Sequence, residues 1–128
     1  MRFTEHELTT ALTGTAKQVL ALQRKDVRKG RADIDAVWSE MDRYQRFQIL
    51  DALGTQLLPV LVALPDVEVQ PGSRPAFTDQ QITAAVEECL GETGGRLRRR
   101  ATVAARAAMV RMALQQVPPR ADPDAMMA

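Results

Sequence analysis

Cysteine occurs once in the 128 residues, at Cys89, and histidine once, at His6. A lone cysteine forms no disulfide within the chain, so nothing points to an oxidising compartment. One histidine and one distant cysteine exclude the closely spaced ligands of a zinc site. Aromatic residues make up only 4% of the chain. The core is therefore left to Leu, Val, Ile, Met and Ala, and there is no series of rings on which nucleic-acid bases would stack. An excess of one charge is missing too. Lys and Arg number 17 against 16 Asp and Glu, a formal net charge of +1, which argues against attraction of the whole domain to nucleic acid or anionic lipid. The longest apolar run, around 57–64, is too short to span a bilayer. The first residues lack the basic-then-apolar pattern of a signal peptide. The expectation is a soluble cytoplasmic protein with no membrane partner.

Catalytic signatures are absent as well. There is no Gly-rich phosphate loop, no nucleophile elbow and no Cys–His arrangement. Asp33 and Asp35 sit where a helix N-terminus favours acids. Asp42, Tyr44 and Asp51 have no spacing that fixes a general acid and base. No cofactor or metal is expected, and an enzyme is the least favoured reading.

What the chain has in plenty is helix punctuation. FTEHELTTAL, from residue 3, and FTDQQITAAV, from residue 77, share their opening pattern. Thr4 with Glu7, and Thr78 with Gln81, have the spacing of a capping box. Phe3 with Leu8, and Phe77 with Ile82, have that of a hydrophobic staple. The likeness fades beyond the first turns, where Gly14 stands against Glu88 and Val19 against Thr93. It marks two helix starts, not a duplicated domain. The first helix is expected to run to about Lys25. Leu8, Leu12, Thr15, Val19 and Leu22 form its packing seam, with His6, Lys17 and Arg24 toward water.

Gly30 offers a stop and Asp33 an N-cap for the next helix. Ile34, Val37, Trp38 and Met41 share one apolar face. Ile49, Leu50, Leu53 and Leu57 lie about a quarter turn away from it. Asp42 with Gln45 makes a third capping box, so a break near 42 separates a short helix from a longer one. Gly54 inside the longer helix costs about 1 kcal/mol relative to Ala, which points to close approach of a neighbour. Pro59 is expected to kink or end that helix. Two readings are open for 60–70: a short helix over 60–64, or a hairpin with 67–70. The helical one is favoured, because two strands alone bury little.

Residues 65–76 form a Pro- and Gly-rich connection. Ile82, Ala85, Val86, Cys89 and Leu90 give the next helix its apolar face, and Gly91 ends it. Gly94 and Gly95 make a tight connection into a long Ala- and Arg-rich helix, which Pro118 and Pro119 stop after Val117. The fold class is therefore all-α: a four- to five-helix bundle, one domain over 1–117, with 118–128 as a disordered tail.

The last helix carries two apolar stripes. One is Leu97, Ala101, Ala104 and Ala108, extended by Ala105 and Met112. The other is Val103, Ala107, Val110, Leu114 and Val117. Two stripes need two neighbours. The second stripe is the candidate self-association seam, with the choice between the two stripes left open by their equal spacing, and a homodimer is the leading expectation for a partner.

Two basic clusters stand out, over 24–31 and 96–100. Arg28, Lys29 and Arg31 in the first, with Arg96, Arg98, Arg99 and Arg100 in the second, are the candidate contacts to an anion or nucleic acid. The plain alternative is compensation. Cations at one helix start and Glu87, Glu88 and Glu92 at the preceding helix end both oppose their macrodipoles, and they would offset each other across the turn. Whether the clusters share one end of the bundle depends on topology. A single descending arm over 33–58 brings them together, and a reversal at Asp42 separates them. The leading function is an interaction or structural module that self-associates through an apolar surface. Nucleic-acid or anion binding is the alternative.

Overall fold

The computed structural model describes residues 1–91 and 95–120. Its regular structure is entirely helical: α1 (Glu5–Gln23), α2 (Lys25–Arg28), α3 (Ile34–Glu40), α4 (Arg43–Ala63), α5 (Asp79–Leu90) and α6 (Arg96–Gln116). Three helix starts are built by the residues whose spacing announced them. Glu7 donates its N–H to the Thr4 hydroxyl at 3.1 Å, and Thr4 donates its own to the Glu7 carboxylate at 2.8 Å. Thr78 and Gln81 repeat the exchange at 3.1 and 2.8 Å. Asp42 and Gln45 do so at 2.8 and 3.3 Å. Phe3 and Phe77 pack half-buried against the core beside the two threonine caps.

Contacts along the chain fix the helix directions. The Met1 ammonium donates to the carbonyls of Val62, at 3.0 Å, and Leu64, so the start of α1 lies beside the end of α4. Midway, Leu12 lies against Gly54. At the same end Arg120, just beyond α6, pairs with Glu7, and the Gln116 side chain lies on Gly14. Both α4 and α6 therefore run antiparallel to α1. Asp79 pairs with Arg111, and Arg99 reaches the C-terminus of α5, so α5 opposes α6. The result is an up-down-up-down bundle of α1, α4, α5 and α6. α2 and α3 are a detour within its first connection. α3 returns alongside α1 in the same direction, with Asp35 on Lys17 at 2.9 Å and Glu40 within electrostatic reach of Arg24. Lys17 thus pairs with a neighbouring helix, where the α1 pattern alone had placed it in water.

Apart from Trp38 of α3, the buried core is aliphatic. Leu57, Val60 and Leu61 of α4, Val86 of α5 and Val110 of α6 are fully enclosed, with Ala11 and Ala16 of α1 letting the helices approach. Leu64 and Val117 close its lower end.

Several sequence expectations change. α1 stops at Gln23, and Arg24 is extended before the single turn of α2. α4 does not end at Pro59 but continues to Ala63. Pro59 and Thr55 both lie on the exposed side of α4, while Val60 and Leu61 anchor the last turn in the core. Residues 60–63 are therefore part of α4 and not a separate helix, and no strand forms over 67–70. Gly54 is not the tight spot. A Cβ there would meet Leu58 at 3.5 Å and Leu12 at 3.8 Å, ordinary contact distances. The close approach is at Gly14, where a Cβ would fall on the Gln116 side chain.

Past Val117 the chain folds back onto the bundle. Arg120 exchanges backbone hydrogen bonds with Gly72 (2.7 Å) and Ser73 (2.9 Å), and Arg74 donates to the Val117 carbonyl at 2.6 Å. Of the disordered tail expected over 118–128, residues 118–120 are thus held against the bundle, and 121–128 lie outside the described residues, as do Glu92 and Gly94.

Candidate functional site

The two stripes of α6 resolve in the opposite sense from that expected. Val103, Ala107, Val110, Leu114 and Val117 are all buried by the chain's own helices. They form the inner face of α6 and have no area left for a second copy. The outward stripe is the other one, and Leu97, Ala101, Ala104, Ala105 and Ala108 are exposed on it. The assignment turned because the spacing of both stripes is alike. Side-chain size is what separates them, since the bulky Val and Leu face the core and alanine faces water.

The larger outward apolar face belongs to α4 and was missed. At 3.6 residues per turn, Tyr44, Phe47, Leu58 and Val62 fall within an arc of about 80° that also holds exposed Asp51, with buried Gly54 at its edge. Tyr44 is 67% exposed, Phe47 59% and Val62 64%. Phe47 borders a groove of about 560 Å3 between α4 and α1, lined also by Leu12, Leu50, Gly54, Leu58 and Pro59 and by the polar Asp51 and Thr55. Leu22, at the end of α1, is exposed at 64%. The inward face of α4 is also apolar, with Leu53, Leu57, Val60, Leu61 and Leu64 buried. A helix apolar on both sides is one that lacks a partner on one of them. The signal was in the sequence, because apolar residues from 44 to 64 occupy more of the helix circumference than one core face requires.

The two basic clusters lie at the same end of the bundle. The chain does reverse at Asp42, but α3 is short and retraces α1. α4 therefore starts at the end where α1 finishes and α6 begins. In the first cluster Arg24 is tied to Asp26 at 2.9 Å, while Lys25, Arg28, Lys29 and Arg31 are exposed. In the second, Arg99 turns back to the C-terminus of α5. It donates to the carbonyl of Gly91 and, at 3.4 Å, to that of Glu87. Compensation therefore runs through backbone carbonyls at the negative end of α5. Neither Glu87 nor Glu88 forms an ion pair among the described residues. Arg96, Arg98 and Arg100 are exposed and make no side-chain hydrogen bond or ion pair among those residues. Arg96 and Arg100 border a groove of about 900 Å3 between α5 and α6.

Titratable side chains meet at one cleft beside the start of α1, where Arg2, His6, Glu7 and Arg120 line it. Glu7 is buried, and burial raises its carboxyl. The Thr4 N–H and the Arg120 guanidinium outweigh that and hold it below the usual carboxylate range. Arg120 reaches both oxygens, at 3.1 and 3.2 Å, so the group is a fixed anion that ties the exit of α6 to the start of α1. His6 lines the same cleft of about 580 Å3 as Glu7 and Arg120, with Arg2, Phe3, Thr4 and Pro118. Burial pushes the Cys89 thiol up, and the Glu88 charge adds to this against Arg106, so the thiol stays protonated at neutral pH. No three His, Cys, Asp or Glu side chains gather as metal ligands among the described residues. No helix among them is long and apolar enough to cross a membrane.

No family model, no curated protein and no solved structure matches this chain. Its surfaces are therefore read on their own chemistry.

Proposed function

We propose that the protein is a helical interaction module that works as a homodimer, joined through the outward face of α4 and the adjoining edge of α1. One observation carries the reading: Tyr44, Phe47 and Val62 stand exposed on one side of α4, with half-buried Leu58 between them and Asp51 the one charged residue in their row. Covering a side chain such as Phe, Leu or Val is worth about 1.5–3 kcal/mol when complete.

The stripe favours a second copy because it is complementary to itself. It is aromatic toward the start of α4, small at Gly54 and aliphatic toward the end. An antiparallel two-fold crossing at Gly54 and Thr55 lays Phe47 of one copy against Leu58 and Val62 of the other. The same operation brings Arg43, which has no side-chain partner among the described residues, toward Asp66, which lies 3.9 Å from the Met1 ammonium and accepts from the Arg2 N–H but keeps 76% of its side chain exposed. Each contact then occurs twice.

Light scattering coupled to gel filtration tests this. The expected result is a dimer at tens of micromolar protein and a folded monomer for Phe47→Glu with an unaltered thermal melt. A wild-type monomer throughout that range, or a Phe47→Glu variant that stays dimeric, contradicts the reading.

A further inference from the structure

We propose that the groove between α5 and α6 binds an amphipathic helix of a partner protein, acidic along one flank. The inference uses a different face from the α4 stripe and does not depend on dimerisation.

The groove offers exposed Ala104 and Leu97 along α6, above Val103 and Ala107, which the chain's own helices already bury. Arg96 and Arg100 stand one helical turn apart on the α6 lip, both exposed and without side-chain partners among the described residues. The other two arginines of the groove are engaged, Arg99 by the carbonyls ending α5 and Arg111 by Asp79 at 3.0 Å. The opposite lip carries Thr83 and Glu87 of α5.

This composition selects its occupant. α6 begins at Gly95 with no side-chain cap and no acid in its first turn. Arg96 and Arg100 therefore add positive charge to an end that is already positive. Carboxylates relieve that charge, and guanidinium groups take them up through paired N–H donors. Leu97, 82% exposed, offers apolar contact that a phosphate backbone does not use. No aromatic ring lines the groove for base stacking. The alanines allow another helix to approach closely. Glu87 on the far lip repels a ligand that is acidic on both sides. The fitting partner is apolar along its centre, acidic toward α6 and neutral or basic toward α5, docking as a helix in a groove.

The test uses a fluorescent synthetic helix with a Leu seam, Glu along one flank and Lys along the other. The control is the same peptide with Gln at every Glu. Anisotropy titration against the full chain is expected to show the Glu peptide binding at least about fivefold tighter. The double substitution Arg96→Glu and Arg100→Glu removes that preference and leaves the thermal melt unchanged. Leu97→Ser weakens both peptides by about tenfold. The idea is overturned by equal affinity for the two peptides, by no binding of either, by binding that ignores the double substitution, or by tighter binding of a duplex DNA oligonucleotide.

Discussion

α4 and α6 are both 21 residues long, run in the same direction, and each turn one apolar face inward and another outward. The outward faces differ in kind. On α6, alanines follow Leu97, and the Arg96 and Arg100 pair flanks them. On α4 the stripe is Tyr44, Phe47, Leu58 and Val62 around Gly54. An exposed alanine leaves little apolar area in water, whereas an exposed Phe or Val leaves enough to reward a cover. Equal spacing thus serves two ends. The α6 face suits a close neighbour steered by charge, and the α4 face suits one held by apolar burial.

Substitutions on the two sides of each helix separate inner from outer face, and the largest effect is expected on α6. Val110→Glu puts a charge into the enclosed core and should cost more than about 4 kcal/mol in urea unfolding, whereas Ala104→Glu should stay within about 0.5 kcal/mol. Similar costs at the two sites would erase the distinction. On α4, Leu57→Ala should lower stability by about 3 kcal/mol through the cavity it leaves. The half-buried neighbour Leu58→Ala should cost about 1 kcal/mol at concentrations where the protein is monomeric, and weaken self-association above them.

The tie between the exit of α6 and the start of α1 comes next. Glu7→Gln should cost about 1–2 kcal/mol, reduced by the solvent around Arg120. The sign of its pH dependence follows from the direction of the shift. The folded-state carboxyl lies below its ordinary value of 4.5, so its stabilisation is complete above that value. It is lost as pH falls through the lower folded value. Acid unfolding of Glu7→Gln should therefore be shallower than that of wild type, and an equally steep acid limb would show that Glu7 contributes nothing. The smallest effect is at the caps. Thr78→Ala should cost about 1 kcal/mol, with Thr4→Ala costing more because it also frees Glu7 from its N–H partner. Thermal melts of the pair measure the difference.

Local chemistry was the legible part of this fold. The capping boxes at Thr4, Asp42 and Thr78 depend on neighbours three residues apart, and all three formed. The all-helical class and the break before α4 followed from the same short-range rules. What depended on a third dimension was not legible. Pro59 passes through α4 on its exposed side while Val60 and Leu61 hold the last turn in the core, which sequence alone does not reveal. The return of α3 along α1 placed both basic clusters at one end, although the chain reverses at Asp42. The inner and outer stripes of α6 are indistinguishable by period, and only the preference of bulky side chains for the core sorts them. The α4 face was legible in principle, as an excess of apolar circumference between Tyr44 and Leu64.

The central claim is that α4 meets α4 of a second copy about a two-fold axis near Gly54, and a distance measurement tests it most directly. Ala52 is exposed on the flank of α4, beside the stripe and close to that axis. A spin label at Ala52→Cys, in a Cys89→Ser background, should give one narrow inter-label distance of at most roughly 30 Å, since packed helix axes lie about 8–10 Å apart. Adding Phe47→Glu should abolish it. A wild-type chain with no dipolar coupling at dimer-forming concentration, or a coupling that survives Phe47→Glu, would contradict the account.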